Sequence, residues 1–263
     1  MARAWILAAG VMVAVAGAGS IAEAALEPHR AAYRLKLGEK HRASPLTDVR
    51  GGLVIEYRLA CDGWLSRQRL GFAAATEGGD DISHDVRFSS WESLDGLRLR
   101  YTVRSFEGDV LQEEYRGQAW LDSEDGGGVA SFGTPHEEKI ILPAGTVFPT
   151  QHMRRILEEA GEGKRFVSHE VFDGWGFDAL TQITSVIGPP RIIETTSAEV
   201  GKSRAWPVSM AYYNIQRMAD TPDFEAAFLL TEEGVLRDLL LDYGEFQLDA
   251  TLESVELLDR PAC

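Results

Sequence analysis

The residues of this chain that could do acid–base, redox or metal chemistry are few and widely spaced. There are two cysteines, Cys61 and Cys263, and six histidines, at positions 29, 41, 84, 136, 152 and 169. The cysteines are too far apart for a C-x-x-C redox pair, and zinc sites need clustered ligands that these histidines do not provide. No G-x-S-x-G, S-x-x-K or H-E-x-x-H motif is present. We therefore expect no catalytic residue, no metal site and no cofactor.

His152 is the strongest single candidate for acid–base chemistry. It follows the segment 142–149, which contains two prolines and a glycine, and it falls in the first turn of a predicted helix. The positive end of a helix would lower the imidazole pKa and keep the ring neutral, as a general base requires. The sequence places no nucleophile or second base beside it, so a hydrolase that uses His152 is only an alternative. The other interpretation is that His152 caps the helix or packs where the loop meets it.

Two arginines and a tryptophan are candidates for a ligand or partner site. Arg98 and Arg100 alternate with apolar residues on one predicted strand, so both fall on one face and could bind an anionic ligand inside a barrel. More often, such a row is a solvated face paired with neighbouring acids such as Glu114. Trp206 could line a pocket, although large aromatic residues more often anchor a core.

Strands have to position these candidates, because the chain mostly follows a period of two. The segments Leu53–Cys61 and Leu97–Val103 alternate apolar with polar or mixed residues, and about a dozen further segments have a strand pattern. Asp-Gly and Glu-Gly pairs mark turns between them. The pattern predicts an all-β fold with one helix.

The hairpin formed by residues 97–104 and 110–121 has a predicted register. A loop centred on Phe106–Gly108 would place Arg104 opposite Val110 and Arg100 opposite Glu114, which matches polar with polar residues and pairs opposite charges. Gly108 then falls where a hairpin loop needs a positive φ.

One helix is predicted from Thr150 to Gly161. Thr150 can cap its N-terminus and Gly161 can end it. Its apolar face consists of Met153, Ile156, Leu157 and Ala160. A single helix among many strands is expected to lie against the sheet or to plug one end.

The first 24 residues have the pattern of a secretory signal peptide. Arg3 precedes an uncharged apolar stretch, and Ala22-Glu23-Ala24 fits a cleavage site before Ala25. Cleavage would leave residues 25–263 as a single β-rich domain, with no later stretch able to span a membrane. The net charge of −15 argues against nucleic acid and anionic membranes as partners. Two cysteines in an exported chain suggest one disulfide bond.

Six segments of the chain together resemble the EipB family of bacterial periplasmic proteins. They are HRAAYRLKL (29–37), ACDGW (60–64), WESLDG (91–96), ILPAGTVFPTQH (141–152), VFDG (171–174) and AWPVSMAYY (205–213). The resemblance implies a many-stranded antiparallel structure wound as an open barrel or β-spiral, a periplasmic location and a role in keeping the cell envelope intact under stress. It also implies a disulfide between Cys61 and Cys263, and it brings no enzymatic activity to this chain.

The leading hypothesis is therefore a non-enzymatic periplasmic protein that maintains envelope integrity, by binding a protein partner or a lipid-like ligand. The alternative is a carrier that holds a lipid, an acyl chain or an envelope precursor in an open barrel. A bridge between Cys61 and Cys263 would close a loop of about 200 residues. We expect this bridge to stand in for barrel closure and to secure an exposed edge of the sheet.

Overall fold

The computed structural model describes residues 24–40, 44–79, 81–194, 202–216 and 220–263. These residues form one helix, α1 (Pro149–Gly161), and strands that run antiparallel to their neighbours in a single sheet. The strands are β1 (His29–Lys40), β2 (Leu46–Leu59), β3 (Gly63–Thr76), β4 (Asp81–Ser93), β5 (Arg98–Glu107), β6 (Val110–Leu121), β7 (Gly128–Thr134), β8 (Glu138–Leu142), β9 (Phe166–Phe172), β10 (Leu180–Ile187), β11 (Arg191–Glu194), β12 (Lys202–Asn214), β13 (Phe224–Thr231), β14 (Leu236–Asp242) and β15 (Phe246–Leu257). The predicted all-β fold with one helix is confirmed.

The sheet curves into a nearly closed barrel with an unsealed seam between its two edge strands. From one edge to the other the order is β8-β7-β6-β5-β4-β3-β2-β1-β15-β14-β13-β12-β10-β9, and β11 pairs with β12 beside β10. The first and last strands, β1 and β15, are neighbours in the middle of this order. The edge strands β8 and β9 are consecutive in sequence and are joined by the segment that contains α1. The barrel is therefore open in the middle of the sequence, not at its ends.

The predicted register of the β5–β6 hairpin is wrong by four residues. Arg104 lies opposite Glu114, and the chain turns through Gly108 and Asp109 alone, so that Glu107 pairs with Val110. Gly108 has the positive φ that was expected, 57°. An even shift leaves every side chain on its original face, so alternation alone could not distinguish the two registers. Glu114 forms an ion pair as predicted, but its partner is Arg104, at 2.8 Å, and not Arg100.

Helix α1 lies where it was predicted, but its N-terminus is capped differently. The N-cap position is Phe148, without a side-chain cap, and Thr150 is already inside the helix. The carboxylate of Glu92, at the end of β4, accepts hydrogen bonds from the backbone N–H groups of Thr150 and Gln151. The predicted apolar face is confirmed, because Ile156, Leu157 and Ala160 are buried and Met153 packs against the same core.

The inward faces of the strands are packed into two hydrophobic clusters. The larger contains Leu157 from the helix together with Trp206, Leu230 and Leu248 from the strands. The smaller joins the two sides of the seam, since it contains Leu99, Tyr101, Phe132 and Leu142 from β5–β8 together with Phe172 and Leu180 from β9 and β10. Packed side chains therefore join β8 and β9, the two edge strands that are not paired with each other through backbone hydrogen bonds.

Cys61 and Cys263 form a disulfide with a Cα–Cα distance of 5.7 Å, the pairing that the resemblance implied. Cys61 lies in the turn between β2 and β3, and Cys263 follows β15, so the bond spans the position of β1 in the sheet. The expectation that this bond secures an exposed edge is wrong, because β2, β1 and β15 are all interior strands. The seam is instead bridged by Val147, whose N–H donates to Glu170 O at 2.8 Å.

Residues 1–23, which make up nearly all of the predicted signal peptide, lie outside the described part of the chain. Across the described ranges, no helix combines the length and apolar character needed to cross a membrane.

Candidate functional site

The structure does not bring the four predicted site residues together. Arg98 and Arg100 alternate with the buried Leu99 and Tyr101, so both lie on the outer face of β5. Trp206 and His152 lie inside the barrel. A shared site made of all four is therefore not formed.

Trp206 is part of the core. Its side chain is only 2% exposed and belongs to the larger hydrophobic cluster. The Arg204 guanidinium lies 4.8 Å from the centre of a Trp206 ring, a cation–π contact. The structure thus matches the alternative interpretation, in which this tryptophan anchors the core.

His152 lies on the buried side of α1, with 5% of its surface exposed. Burial lowers the pKa of His152 to about 3, and the nearby His169 and Arg155 act in the same direction. The ring is therefore neutral, and burial is the largest cause of its lowered pKa. Its Nε2 atom has no hydrogen-bond partner among the described residues. A ring enclosed in this way is poorly placed to receive a substrate from solvent.

The histidine belongs to a small polar cluster between α1 and β9. The rings of His152 and His169 are 5.3 Å apart and nearly perpendicular, and His169 Nε2 lies 3.5 Å from Glu159 Oε2. Burial lowers the pKa of His169, while the carboxylate of Glu159 opposes that shift. The cluster joins the helix to the edge strand, so its arrangement suits packing better than catalysis.

A surface concavity with a volume of about 1160 Å³ lies outside the barrel, on strands β4 to β8. Strand register places one outer-face residue from each of these five strands in a row across the sheet. The row consists of Trp91, Arg100, Gln118, Ser131 and Lys139, and all five line the groove.

The groove combines a flat aromatic surface with hydrogen-bonding groups. The Arg100 guanidinium lies 5.3 Å from the centre of a Trp91 ring, which fixes the guanidinium in place without neutralising it. At the other end, Lys139 lies beside Glu137 and Glu138. Such a surface offers stacking, amide and hydroxyl hydrogen bonds, and charges of both signs.

Gly117 lines the groove at a position that has no room for a side chain. A Cβ atom at this position would lie 2.4 Å from Ser131 O and 2.4 Å from Tyr101 Oη. A β-bulge falls between Arg116 and Gly117 in the pairing with β7, and bulges bend a sheet locally. A larger residue at this position would therefore clash with the buried Tyr101 and with the backbone of β7.

Sequence reasoning found Arg100 and considered Trp91 as a residue that could line a pocket, but it missed the other residues of the row. The residues Gln118, Ser131 and Lys139 are ordinary polar members of alternating strands, and only the register aligns them with Arg100. Among the residues that the structure describes, no group of three or more histidine, cysteine, aspartate or glutamate side chains could hold a metal ion. The arrangement in the groove is suited to binding.

Comparisons with known proteins agree with this architecture. Residues 20–259 match the model of the EipB-like family. The chain is 31% identical over 252 residues to the cell envelope integrity protein EipB of Brucella abortus, an alignment that covers 93% of this chain and 89% of that protein. It also superimposes with a TM-score of 0.82 on a crystal structure from Brucella abortus, described as a β-barrel-like protein of a domain of unknown function, with 28% identity and coverage of 90% and 100% of the two chains. The match to the family model spans most of the sequence, and the relative exceeds 30% identity over nearly its whole length, so this chain belongs to the EipB-like family.

Proposed function

We propose that this protein is a non-enzymatic, exported protein that maintains the integrity of the cell envelope by binding a protein partner through its outer surface. The name of its Brucella relative supports the envelope role. The disulfide fits an oxidising compartment such as the periplasm.

The position of the available binding chemistry is the observation that carries the proposal. The inward faces of the strands are packed against one another, whereas the row from Trp91 to Lys139 lies open on the outer face. Interfaces are enriched in tryptophan and arginine, and their energetic centres are often such residues. We therefore expect Trp91 and Arg100 to contribute most of the binding energy in the groove.

The carrier alternative requires space inside the barrel for an acyl chain. The inward-facing residues that would line such a cavity form the two packed clusters, and residues of the helix belong to the larger one. Native mass spectrometry of protein purified from the envelope provides the test: a stoichiometric lipid would favour the carrier over the partner proposal.

The decisive experiment is complementation of a deletion strain that is challenged with detergents and cell-wall antibiotics. We expect Arg100→Ala and Trp91→Ala to lose protection while the purified variants melt like the wild type. Arg98→Ala is the matched control, because Arg98 is an exposed arginine on the same face of the same strand but does not line the groove. Equal protection by all three variants would exclude the groove, and a deletion strain with normal resistance would contradict the envelope role itself. N-terminal sequencing of the periplasmic protein should begin at Ala25.

A further inference from the structure

The edge strand β9 already accepts an extended segment along part of its free side. The Val147 N–H donates to Glu170 O at 2.8 Å, and the Phe172 N–H donates to Val147 O at 3.0 Å. These two groups of β9 therefore point away from β10 and towards the seam. The segment at Val147 is therefore already paired with the free edge of β9, as a short added strand would be.

The rest of β9 presents the same backbone groups without a partner. Its pairing with β10 is regular from Phe172 to Phe166, and in a regular strand alternate residues direct their N–H and C=O groups to the same side. The N–H and C=O groups of Ser168 and Phe166 therefore point to the seam as well. Within the described ranges, none of these groups has a hydrogen-bond partner there.

The side chains beside this open edge are apolar and exposed. Phe166 is 67% exposed, and Val186, its direct partner on β10, is 54% exposed. Natural proteins usually protect a free edge with charges, prolines or bulges. An unpaired edge beside exposed apolar side chains is instead the arrangement that recognises an added strand.

Two arginines place positive charge at the Phe166 end of this edge, in a chain with a net charge of −15, whereas Glu170 is an acid at the other end of β9. Arg165 directly precedes β9, and Arg191 begins β11 just beyond the end of β10. Both side chains are exposed, and neither has an ion-pair partner among the described residues. A segment that carries acidic residues would be complementary to them.

We propose that the edge of β9 from Phe166 to Glu170 binds an extended acidic segment of a partner protein, whose backbone pairs with Ser168 and whose apolar residues cover Phe166 and Val186. The inference rests on the proposed partner binding and adds a second surface and the chemistry of the segment that it takes. The added strand would continue the edge pairing that Val147 begins.

The test uses a blocked eight-residue peptide that alternates valine and glutamate, and its binding to the full-length mature protein is followed by NMR. We expect shifts confined to β9 and β10, with slowed hydrogen exchange of the Ser168 amide. Ser168→Pro removes the outward N–H, a change that an edge strand tolerates, and should weaken binding about tenfold or more. Ser168→Ala is the matched control, because it removes the hydroxyl and keeps the N–H, and should bind like the wild type.

The double variant Arg165→Glu/Arg191→Glu tests the charge without altering the backbone. It should prefer a valine–lysine peptide to the valine–glutamate peptide. The proposal is overturned if Ser168→Pro binds as well as Ser168→Ala, if the shifts lie in the groove, or if the edge instead dimerises the protein in sedimentation experiments. A Ser168→Pro variant that loses the peptide but still protects the deletion strain would reject the edge as the partner site and leave the proposed function intact.

Discussion

Glu92 Oε2 accepts a hydrogen bond from the backbone N–H of Thr150 at 2.9 Å, so a strand 58 residues earlier in the chain caps the helix. The second carboxylate oxygen accepts from the N–H of Gln151 at 2.7 Å. The first N–H groups of a helix have no partner within it, and a negative charge at that end is favourable. Glu92 therefore connects the helix to β4, an interior strand of the sheet.

Replacing Glu92 with alanine should lower the free energy of unfolding by about 1–3 kcal/mol, because buried helical N–H groups lose their acceptor. Thr150→Val is the matched control for the cap that the sequence predicted, and it should cost clearly less. Urea denaturation of both variants provides the measurement. A larger loss for Thr150→Val would show that the hydroxyl, not the distant carboxylate, supports the helix.

The same carboxylate should make stability depend on pH. Burial raises the pKa of Glu92 from 4.5 to about 7, although the two N–H donors oppose the shift. The folded state then binds more protons than the unfolded state between these values, so the contribution of Glu92 to stability is complete below pH 4.5 and is lost as the pH rises through about 7. Comparison of the wild type with Glu92→Gln by urea denaturation from pH 4.5 to 8 should show a steeper decline for the wild type. Parallel curves would contradict the shift.

His152 should act in the opposite direction. Its pKa is lowered to about 3, so the unfolded state takes up a proton below its ordinary pKa of 6.5 while the folded state does not. Stability is therefore lost as the pH falls from 6.5 towards 3, by at most about 1.4 kcal/mol per pH unit for one proton. His152→Gln should flatten this acid branch and leave protection of the deletion strain unchanged. Loss of protection in a stable His152→Gln variant would revive a functional role for the imidazole.

Gly174 should tolerate no side chain. Its φ is +79°, and a Cβ atom there would lie 2.4 Å from the ring of Tyr101. Gly174→Ala should therefore cost about 2–4 kcal/mol, the sum of left-handed strain and overpacking. Gly145 has a similar φ of +84° with nothing within 4 Å, so Gly145→Ala should cost only about 1 kcal/mol. Equal melting temperatures for the two variants would show that the contact with Tyr101 relaxes freely.

Reduction of the disulfide should lower the melting temperature and release the C-terminal tail. The bond links residues 202 positions apart, and loop closure of this size is worth up to about 5 kcal/mol in the chain-entropy model. Beyond β15, the tail is also held by Arg260, which forms an ion pair with Glu27. Hydrogen exchange should therefore increase first in residues 258–263 and in the turn at Cys61, while β15 stays protected by its two neighbours. Early exchange throughout β15 would contradict this order.

Much of the fold was predictable because alternating apolar and polar residues identify a strand even where its pairing register is predicted wrongly. Most of the strands, the helix and the apolar face of the helix follow from side-chain periodicity. Strand β7 (Gly128–Thr134) was missed, since its short, glycine-containing sequence resembles a continuation of the loop before it. Only pairing with β6 and β8 makes it a strand.

The site was less predictable, because it depends on relationships between distant segments. The row from Trp91 to Lys139 exists only in the observed register, which differs by four residues from the predicted one in the β5–β6 hairpin. Likewise, nothing near Glu92 in the sequence indicates that its carboxylate is buried against a helix. His152 was placed correctly in the first turn, but its partner His169 comes from a strand that follows the helix.

The position of the seam has a consequence for connectivity. In space, the strands follow one another from β9 around to β8, and the junction between β15 and β1 lies in the middle of this path. A circular permutant could join residue 263 to residue 24 through a short linker and begin a new chain at Gly145. The order of its strands in sequence would then be nearly the same as their order in the sheet, as in an up-and-down meander. Most of its pairings would then be local in sequence, which favours faster folding. The natural chain, by contrast, can join β1 to β15 only after its last strand has been made.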